Sequence, residues 1–459
     1  MSNLPYVLQC TAIASLGGLL FGYDWVVISG AKPFYEPYFG LSGSEQAWAS
    51  GFAVSSALVG CLLGALSSGK LAQRWGRRNL LVVAGLVFLS SSLWTAVSGE
   101  YWSFVSSRVF GGIGIGIASG ISPLYIAEIS PARHRGSLVA VYQLAIVVGI
   151  LLAQIVNLCI YQSSPVPIEY TDAAVGKTWA GQAGWRWMFA AESVPAVLLF
   201  GLGFMLPKSP RWLYMNGRKE QAESILNKLV GRDAHATLQE ISNIFDQRSS
   251  VKIDQRPVHR ARLWLGVFLA VFQQWCGINI VFNYADEIFQ AANFALGELM
   301  FSIVLTGTVN LLFTILAMRW VDRIGRRTLM IGGAMGLFVA FSILGFLFFS
   351  QQAGVIFLLL LLVSISIYAA TLAPITWVLL SELFPIEHRS QMLSWSVSAL
   401  WVACFLLTIT FKPMSVAMGI ASTFWLYSAI CLTGAVLMFF VLPETKGKSL
   451  EMLEAKLEL

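Results

Sequence analysis

The sequence predicts an all-α membrane protein of twelve transmembrane helices in two pseudo-symmetric six-helix halves. Three observations carry that prediction. Apolar runs of about twenty residues hold almost no charge, the lysines and arginines gather in the short segments between them, and motifs of the first half return in the second.

Hydrophobic residues make up 57% of the chain and charged residues only 12%, against about 25% in an average soluble domain. A soluble fold of 459 residues would need more polar side chains than this to cover its surface. The apolar runs lie near 7–31, 47–69, 79–99, 101–126, 138–160 and 187–206, and again near 263–285, 299–318, 328–350, 354–381, 391–411 and 417–442. The chain divides accordingly. Residues 1–206 form an N-terminal six-helix half, 207–262 a cytoplasmic connector with short helices such as Arg218–Leu229, 263–442 a C-terminal six-helix half, and 443–459 a cytoplasmic tail.

The net charge of +6 and pI near 9.0 could suggest a nucleic-acid partner, but the basic residues sit in short loops, where they determine topology. With the N-terminus inside, twenty-five of the 30 lysines and arginines fall on the inner side, leaving Lys32, Arg108, Lys177, Arg186 and Lys412. Both termini are therefore expected in the cytoplasm, in a multi-pass protein of a plasma or cell inner membrane. The first run lacks basic residues before it and is too long for a cleavable signal peptide, so it is expected to stay. All six cysteines fall inside apolar runs without the paired spacing of metal or disulfide frameworks, and read as packing residues.

The repeat is specific. Gly69-Lys-Leu-Ala-Gln-Arg-Trp-Gly-Arg-Arg78 follows the second run, and Arg319-Trp-Val-Asp-Arg-Ile-Gly-Arg-Arg327 follows the eighth. Glu128-Ile-Ser-Pro-Ala-Arg-His-Arg135 follows the fourth and Glu382-Leu-Phe-Pro-Ile-Glu-His-Arg389 the tenth, each with glutamate and arginine seven apart. Internal duplication of this kind belongs to transporters, whose solute site lies near the midplane between the halves.

Together with Gly22-Tyr23-Asp24, Tyr125-Ile-Ala-Glu128, Arg135-Gly136, Ser209-Pro-Arg-Trp-Leu213, Gln273-Gln274-x-x-Gly277-x-Asn279, Asp322-Arg-x-Gly-Arg-Arg327 and Pro443-Glu-Thr-Lys-Gly447, these residues resemble the sugar porter family of the major facilitator superfamily over essentially the whole chain. The chain is similar to bacterial proton–xylose symporters and to animal facilitative glucose transporters alike. The resemblance implies a major facilitator fold and a secondary transporter that moves a monosaccharide by alternating access. Gln73, Lys208 and Ser390 depart from the family's usual Asp, Glu and Gly in the inner-gate region.

Asp24 is the only charge in the first run and Arg108 the only one in the fourth. An unpaired charge at helix centre costs about 3 kcal/mol on insertion scales, so such residues face a partner or a watery cavity. The first helix runs outward and the fourth inward, and each residue lies about six positions from the outer end, a common depth of roughly 9–10 Å. Pairing is therefore expected, either as a fixed structural ion pair or as a proton site whose carboxylate responds to Arg108 and to desolvation. Proton-coupled members of the family carry Asp here and facilitative members Asn. The resemblance thus favours proton symport, with a facilitative uniporter and a polyol or inositol symporter as the alternatives.

A sugar presents many hydroxyls and a weakly apolar ring face, so its site needs amides that donate and accept, plus aromatic platforms. Gln143, Gln273, Gln274, Asn279 and Asn310 are such intramembrane amides. Trp377 and Trp401 are the aromatic candidates, and the resemblance matches all seven to sugar-contacting positions. A lone membrane amide otherwise serves to join helices. Ile150 and Leu400 stand where relatives carry amides, and Asn283 replaces the first Tyr of a pair resembling an outer gate.

Arg77, Glu128, Arg135, Arg326, Glu382 and Arg389 are expected to form inner-gate charge networks, the alternative being static topology determinants. Gly111-Gly-Ile-Gly-Ile-Gly116 misses the dinucleotide-loop spacing and follows no strand; Gly112 and Gly116, four apart, suit close helix packing. No catalytic arrangement or metal-ligand spacing is visible, and the four histidines fall in cytoplasmic segments. An enzyme is not expected, nor a cofactor. The expected partners are a small-molecule sugar, protons and membrane lipid, with no nucleic acid and a functional monomer. A short tail argues against a sugar sensor.

Overall fold

A computed structural model describes residues 3–131, 134–163, 172–231, 234–239, 242, 257–351, 354–384 and 389–444. Among these residues the chain is built of helices, without a β-strand. The first five membrane helices are α1 (Leu4–Phe39), α2 (Ala47–Trp75), α3 (Arg77–Val97), α4 (Tyr101–Ile129) and α5 (Arg135–Gln162). A broken α6 follows as Trp185–Ala190 and Ser193–Gly203. Then come α7 (Pro257–Trp275, resuming as Ile278–Asn283), α8 (Leu296–Ile324), α9 (Arg326–Phe349) and α10 (Val355–Ala370, resuming as Leu372–Leu383).

The last helical stretch, Arg389–Val441, contains Gly419 at φ 80° and ψ 159°, and so divides into α11 (389–418) and α12 (420–441). Among the described residues ten stretches are long and apolar enough to cross a bilayer. Reading the stretch at Gly419 as two helices and adding the broken α6 gives the twelve that the hydropathy pattern predicts.

The boundaries differ from the apolar runs in three informative ways. α1 has 36 residues, about 54 Å at 1.5 Å each and well over the roughly 30 Å hydrocarbon core. It therefore carries Lys32 and Glu36 in its last turns, and Asp24 is not its only charge. Residues 412–416, expected as a loop, are helical, and the turn falls at Gly419. Finally, α6 holds the buried Glu192 at its break.

The chain folds into two compact units, one of Met1–Trp25, Val59–Ile150 and Phe189–Asp254, the other of Val26–Leu58, Leu151–Met188 and Gln255–Leu459. The division passes through α1, so Asp24 belongs to the first unit and Lys32 to the second. In the first unit α2 and α4 approach backbone to backbone. A Cβ added to Gly60 would meet the Val109 carbonyl oxygen at 1.9 Å, and one added to Gly116 the Cys61 carbonyl oxygen at 2.2 Å. The glycine run of α4 is a packing surface, as its four-residue spacing predicts.

The internal repeat is visible in the backbone. α2 gives way to α3 at Gly76 (φ 84°) and α8 to α9 at Gly325 (φ 107°), each just before its Arg-Arg pair. In the connector, Ser209 caps the helix Pro210–Met215 by accepting from the Trp212 amide at 3.2 Å, with Pro210 at the first helical position. The helix expected at Arg218–Leu229 runs over Lys219–Val230, and its Ala222 packs on Trp212 and Leu213.

Candidate functional site

In the first unit Arg108 is ion-paired with Asp24, and both are 2% exposed. The Arg108 Nη2 also donates to the Asp24 backbone carbonyl at 3.1 Å. Its guanidinium lies over the Phe189 ring at 5.2 Å, an arrangement that favours a cation where water is excluded. Glu192, also 2% exposed, lies close enough to both groups to interact with them.

The site thus holds two carboxyls against one guanidinium. Asp24 Oδ2 and Glu192 Oε1 have no hydrogen-bond partner among the described residues. Two buried carboxylates balanced by one cation leave an excess negative charge that low-dielectric surroundings disfavour. One proton neutralises the group and gives these oxygens a donor. The sequence reading passed over Glu192 because the 187–206 run counted as nearly uncharged; a lone carboxylate inside an apolar run was the available signal.

The arginines and glutamates of the repeated motifs form corresponding pairs. Arg77 Nη2 meets Glu128 Oε1 at 2.9 Å in the first unit, and Arg326 Nη2 meets Glu382 Oε1 at 3.3 Å in the second. Ser209 adds its hydroxyl to Glu128. Arg135 is half-buried and ion-paired with no described residue; the Arg389 side chain lies outside the described residues.

Glu444 accepts from the Arg326 and Arg327 amides at 3.0 and 3.2 Å, a carboxylate at the positive end of α9. Leu442-Pro-Glu-Thr445 repeats Leu206-Pro-Lys-Ser209, so Lys208 stands where the second half places this acid. The Gln73 departure is without consequence for one contact. Trp212 Nε1 donates at 2.8 Å to the backbone carbonyl of that residue, which any side chain would leave in place.

In the second unit the amides of α7 form one chain. Asn279 Nδ2 donates to Gln274 Oε1, Gln274 Nε2 to Gln273 Oε1, and Gln273 Nε2 to the Tyr368 hydroxyl at 2.6 Å. All three amides are buried, from 5% to 7% exposed. A continuous helix does not produce this contact. α7 breaks at Gly277, whose φ of 90° is left-handed and whose missing Cβ would lie 2.7 Å from the Tyr427 ring. The break turns Asn279 back toward Gln274.

Asn310 on α8 and Trp401 on α11 belong to the same unit and are buried, whereas Trp377 on α10 is 40% exposed. Gln143, on α5 in the first unit, is half-buried. Ile150, Leu400 and Asn283 are buried. Sequence reading missed Gln154, one turn past Ile150. It is 2% exposed, lies 3.4 Å from the Thr306 hydroxyl, and its Oε1 lacks a partner among the described residues.

A family model described as "Sugar (and other) transporter" matches residues 10–457. The chain is 37% identical to the D-xylose-proton symporter of Escherichia coli (strain K12) over 482 residues, covering 99% of this chain and 96% of that protein. It is 33% identical to the arabinose-proton symporter of Bacillus subtilis (strain 168) over 462 residues, covering 98% and 95%. Among solved structures, a partially occluded inward-open form of the E. coli xylose transporter aligns with a TM-score of 0.85 at 36% identity, covering 97% of this chain and 100% of that one.

Proposed function

Because this chain belongs to the sugar transporter family of the major facilitator superfamily, we propose that it carries a monosaccharide across the membrane together with a proton, by alternating access. The supporting observation is the buried group of Asp24, Arg108 and Glu192. Its two carboxyls and single cation accommodate one proton, and two carboxyl oxygens have no other donor among the described residues. Relatives named as proton symporters of xylose and arabinose support the same reading.

Gln273, Gln274, Asn279 and Asn310 bind sugar hydroxyls in this proposal, Trp377 and Trp401 supply apolar ring contact, and Gln143 contributes a further amide. Pre-organisation of the α7 amides by one another and by Tyr368 means that sugar meets donors and acceptors already aimed. The pairs Arg77–Glu128 and Arg326–Glu382 act as inner-gate charges. The protein works as a monomer embedded in lipid, with both termini in the cytoplasm, as the distribution of basic residues suggests.

Reconstitution into liposomes with a panel of pentoses, hexoses and polyols tests this directly. A transported sugar should alkalinise the medium as it enters. If sugar enters with no proton movement for any member of the panel, the protein is a uniporter.

A further inference from the structure

We propose that Asp286 is a second proton-binding site, separate from Asp24 and Glu192, and that its protonation holds α1 against α7 and α11. The site lies at the end of the helices opposite the arginine-rich loops. Lys32 and Glu36 occupy the last turns of α1, Asp286 and Glu287 follow the end of α7, and Lys412 lies seven residues before the Gly419 break.

These five charges meet inside one unit. Lys32 is fully buried. Its Nζ is ion-paired with Glu287, lies 3.7 Å from both Glu36 Oε1 and Asp286 Oδ2, and sits 4.4 Å from the centre of the Tyr284 ring. Lys412 pairs with Glu287 and reaches Glu36 Oε2 at 3.9 Å. Ser50 of α2 donates to Glu36. Among the described residues Tyr35 and Tyr284 are further titratable groups that face Asp286.

Three carboxyls share two ammonium groups, so one negative charge is in excess, and the contacts decide where it falls. Glu36 has both lysines and Ser50, and Glu287 has both lysines in direct contact. Among the described residues Asp286 is within ion-pair distance of Lys32 alone, at 3.7 Å, with Lys412 acting on it from farther away. It is 3% exposed, and its Oδ1 has no hydrogen-bond partner among the described residues. Burial pushes the Asp286 carboxyl upward against the pull of Lys32. For Glu287 burial is outweighed by Lys32 and Lys412, which hold it down.

If α1 moves away from α7 and α11, as the transporter reading requires at this end, Asp286 enters water and titrates near the ordinary aspartate value of about 4. The closed arrangement then binds a proton that the open one releases. Falling pH favours closure, and the advantage disappears as pH rises through the raised value. The proton enters and leaves on one side. It therefore changes how readily this end opens without changing the number of protons carried per sugar, which distinguishes Asp286 from Asp24.

The test uses the full chain, free of sugar, in lipid nanodiscs, so its outcome does not depend on proton coupling at Asp24. Spin labels are placed at the exposed Glu45 and Ala291 in a Cys159→Ser background, the other five cysteines being buried. From about pH 5 to 8.5 the wild type should pass from one short distance to a mixture with a longer one. The ratio should change by up to about tenfold per pH unit for one linked proton. Asp286→Asn should stay short throughout, and Asp286→Glu should keep the pH dependence with a shifted midpoint. In a separate measurement in liposomes with a transported sugar, protons per sugar, whatever their number in wild type, should be the same in Asp286→Asn. A pH-independent distance in wild type, unchanged pH dependence in Asp286→Asn, or an altered proton count would overturn the proposal. If Asp286→Asn does not fold, a midpoint identical in wild type and Asp286→Glu would do so.

Discussion

Replacing Asn279 by Ala removes the last member of the α7 amide chain. Its Nδ2 donates to Gln274 Oε1, which in turn is fixed through Gln273 to the Tyr368 hydroxyl. The substitution has two effects on binding. In the proposed site a sugar hydroxyl would lose its partner, and Gln274 loses the bond that orients it. An unsatisfied buried group costs about 1–3 kcal/mol, so about 2 kcal/mol is expected for binding, close to a 30-fold rise in Kd. The fold should lose only about 1 kcal/mol, one hydrogen bond, because the break at Gly277 and its packing on Tyr427 remain. Calorimetric titration with the transported sugar, beside thermal unfolding in the same detergent, separates the two. An unchanged Kd would refute the assignment of these amides to the sugar. A loss of affinity that only tracks unfolding would refute the claim that Asn279 acts on binding more than on stability.

Gly277→Ala should destabilise by about 2–5 kcal/mol, combining about 1–2 for a left-handed non-glycine residue with about 1–3 for overpacking Tyr427; a wild-type Tm would contradict the tight fit at this break. Lys208→Glu should raise stability by about 0.3–1 kcal/mol by giving α3 the acid that Glu444 gives α9, and a lowered Tm would show that the repeat does not extend to this position. Reporter fusions after Leu459 and within 219–250 should read cytoplasmic, and one within 163–183 external. An external signal from the central segment would sink the topology.

The helices themselves were legible because lipid imposes long uncharged runs, and the repeat was legible because its motifs share spacing. Breaks inside the runs were less so. Gly277 offers a glycine as a signal, and the break of α10 at Thr371 (φ −129°, ψ −86°) has one in Pro374, which cannot donate to the Ala370 carbonyl and crowds it, but neither residue alone says which way the chain turns. The Asp24–Arg108 pair could be anticipated because each is a lone charge at matched depth.

The cluster around Lys32 could not be anticipated. Lys32 and Lys412 stood out as cations outside the inner loops, yet Lys32 lies 255 positions and Lys412 125 positions from Glu287. No local pattern joins them. Glu192 was hidden by averaging over its apolar neighbours, and the turn of Asn279 toward Gln274 depends on a backbone conformation that an ideal helical wheel omits.

A proton held between Asp24 and Glu192 is proposed to accompany the sugar, and Asp24→Asn tests this most directly. Asparagine keeps the shape while removing the ionisable carboxyl that faces Arg108. Liposomes containing the variant are loaded with sugar for exchange, and separately given a pH gradient for accumulation. Exchange needs no net proton movement and should persist. Accumulation, and the alkalinisation that sugar produces with wild type, should vanish. Accumulation by Asp24→Asn equal to that of wild type would contradict the account and leave Asp24 a structural partner of Arg108.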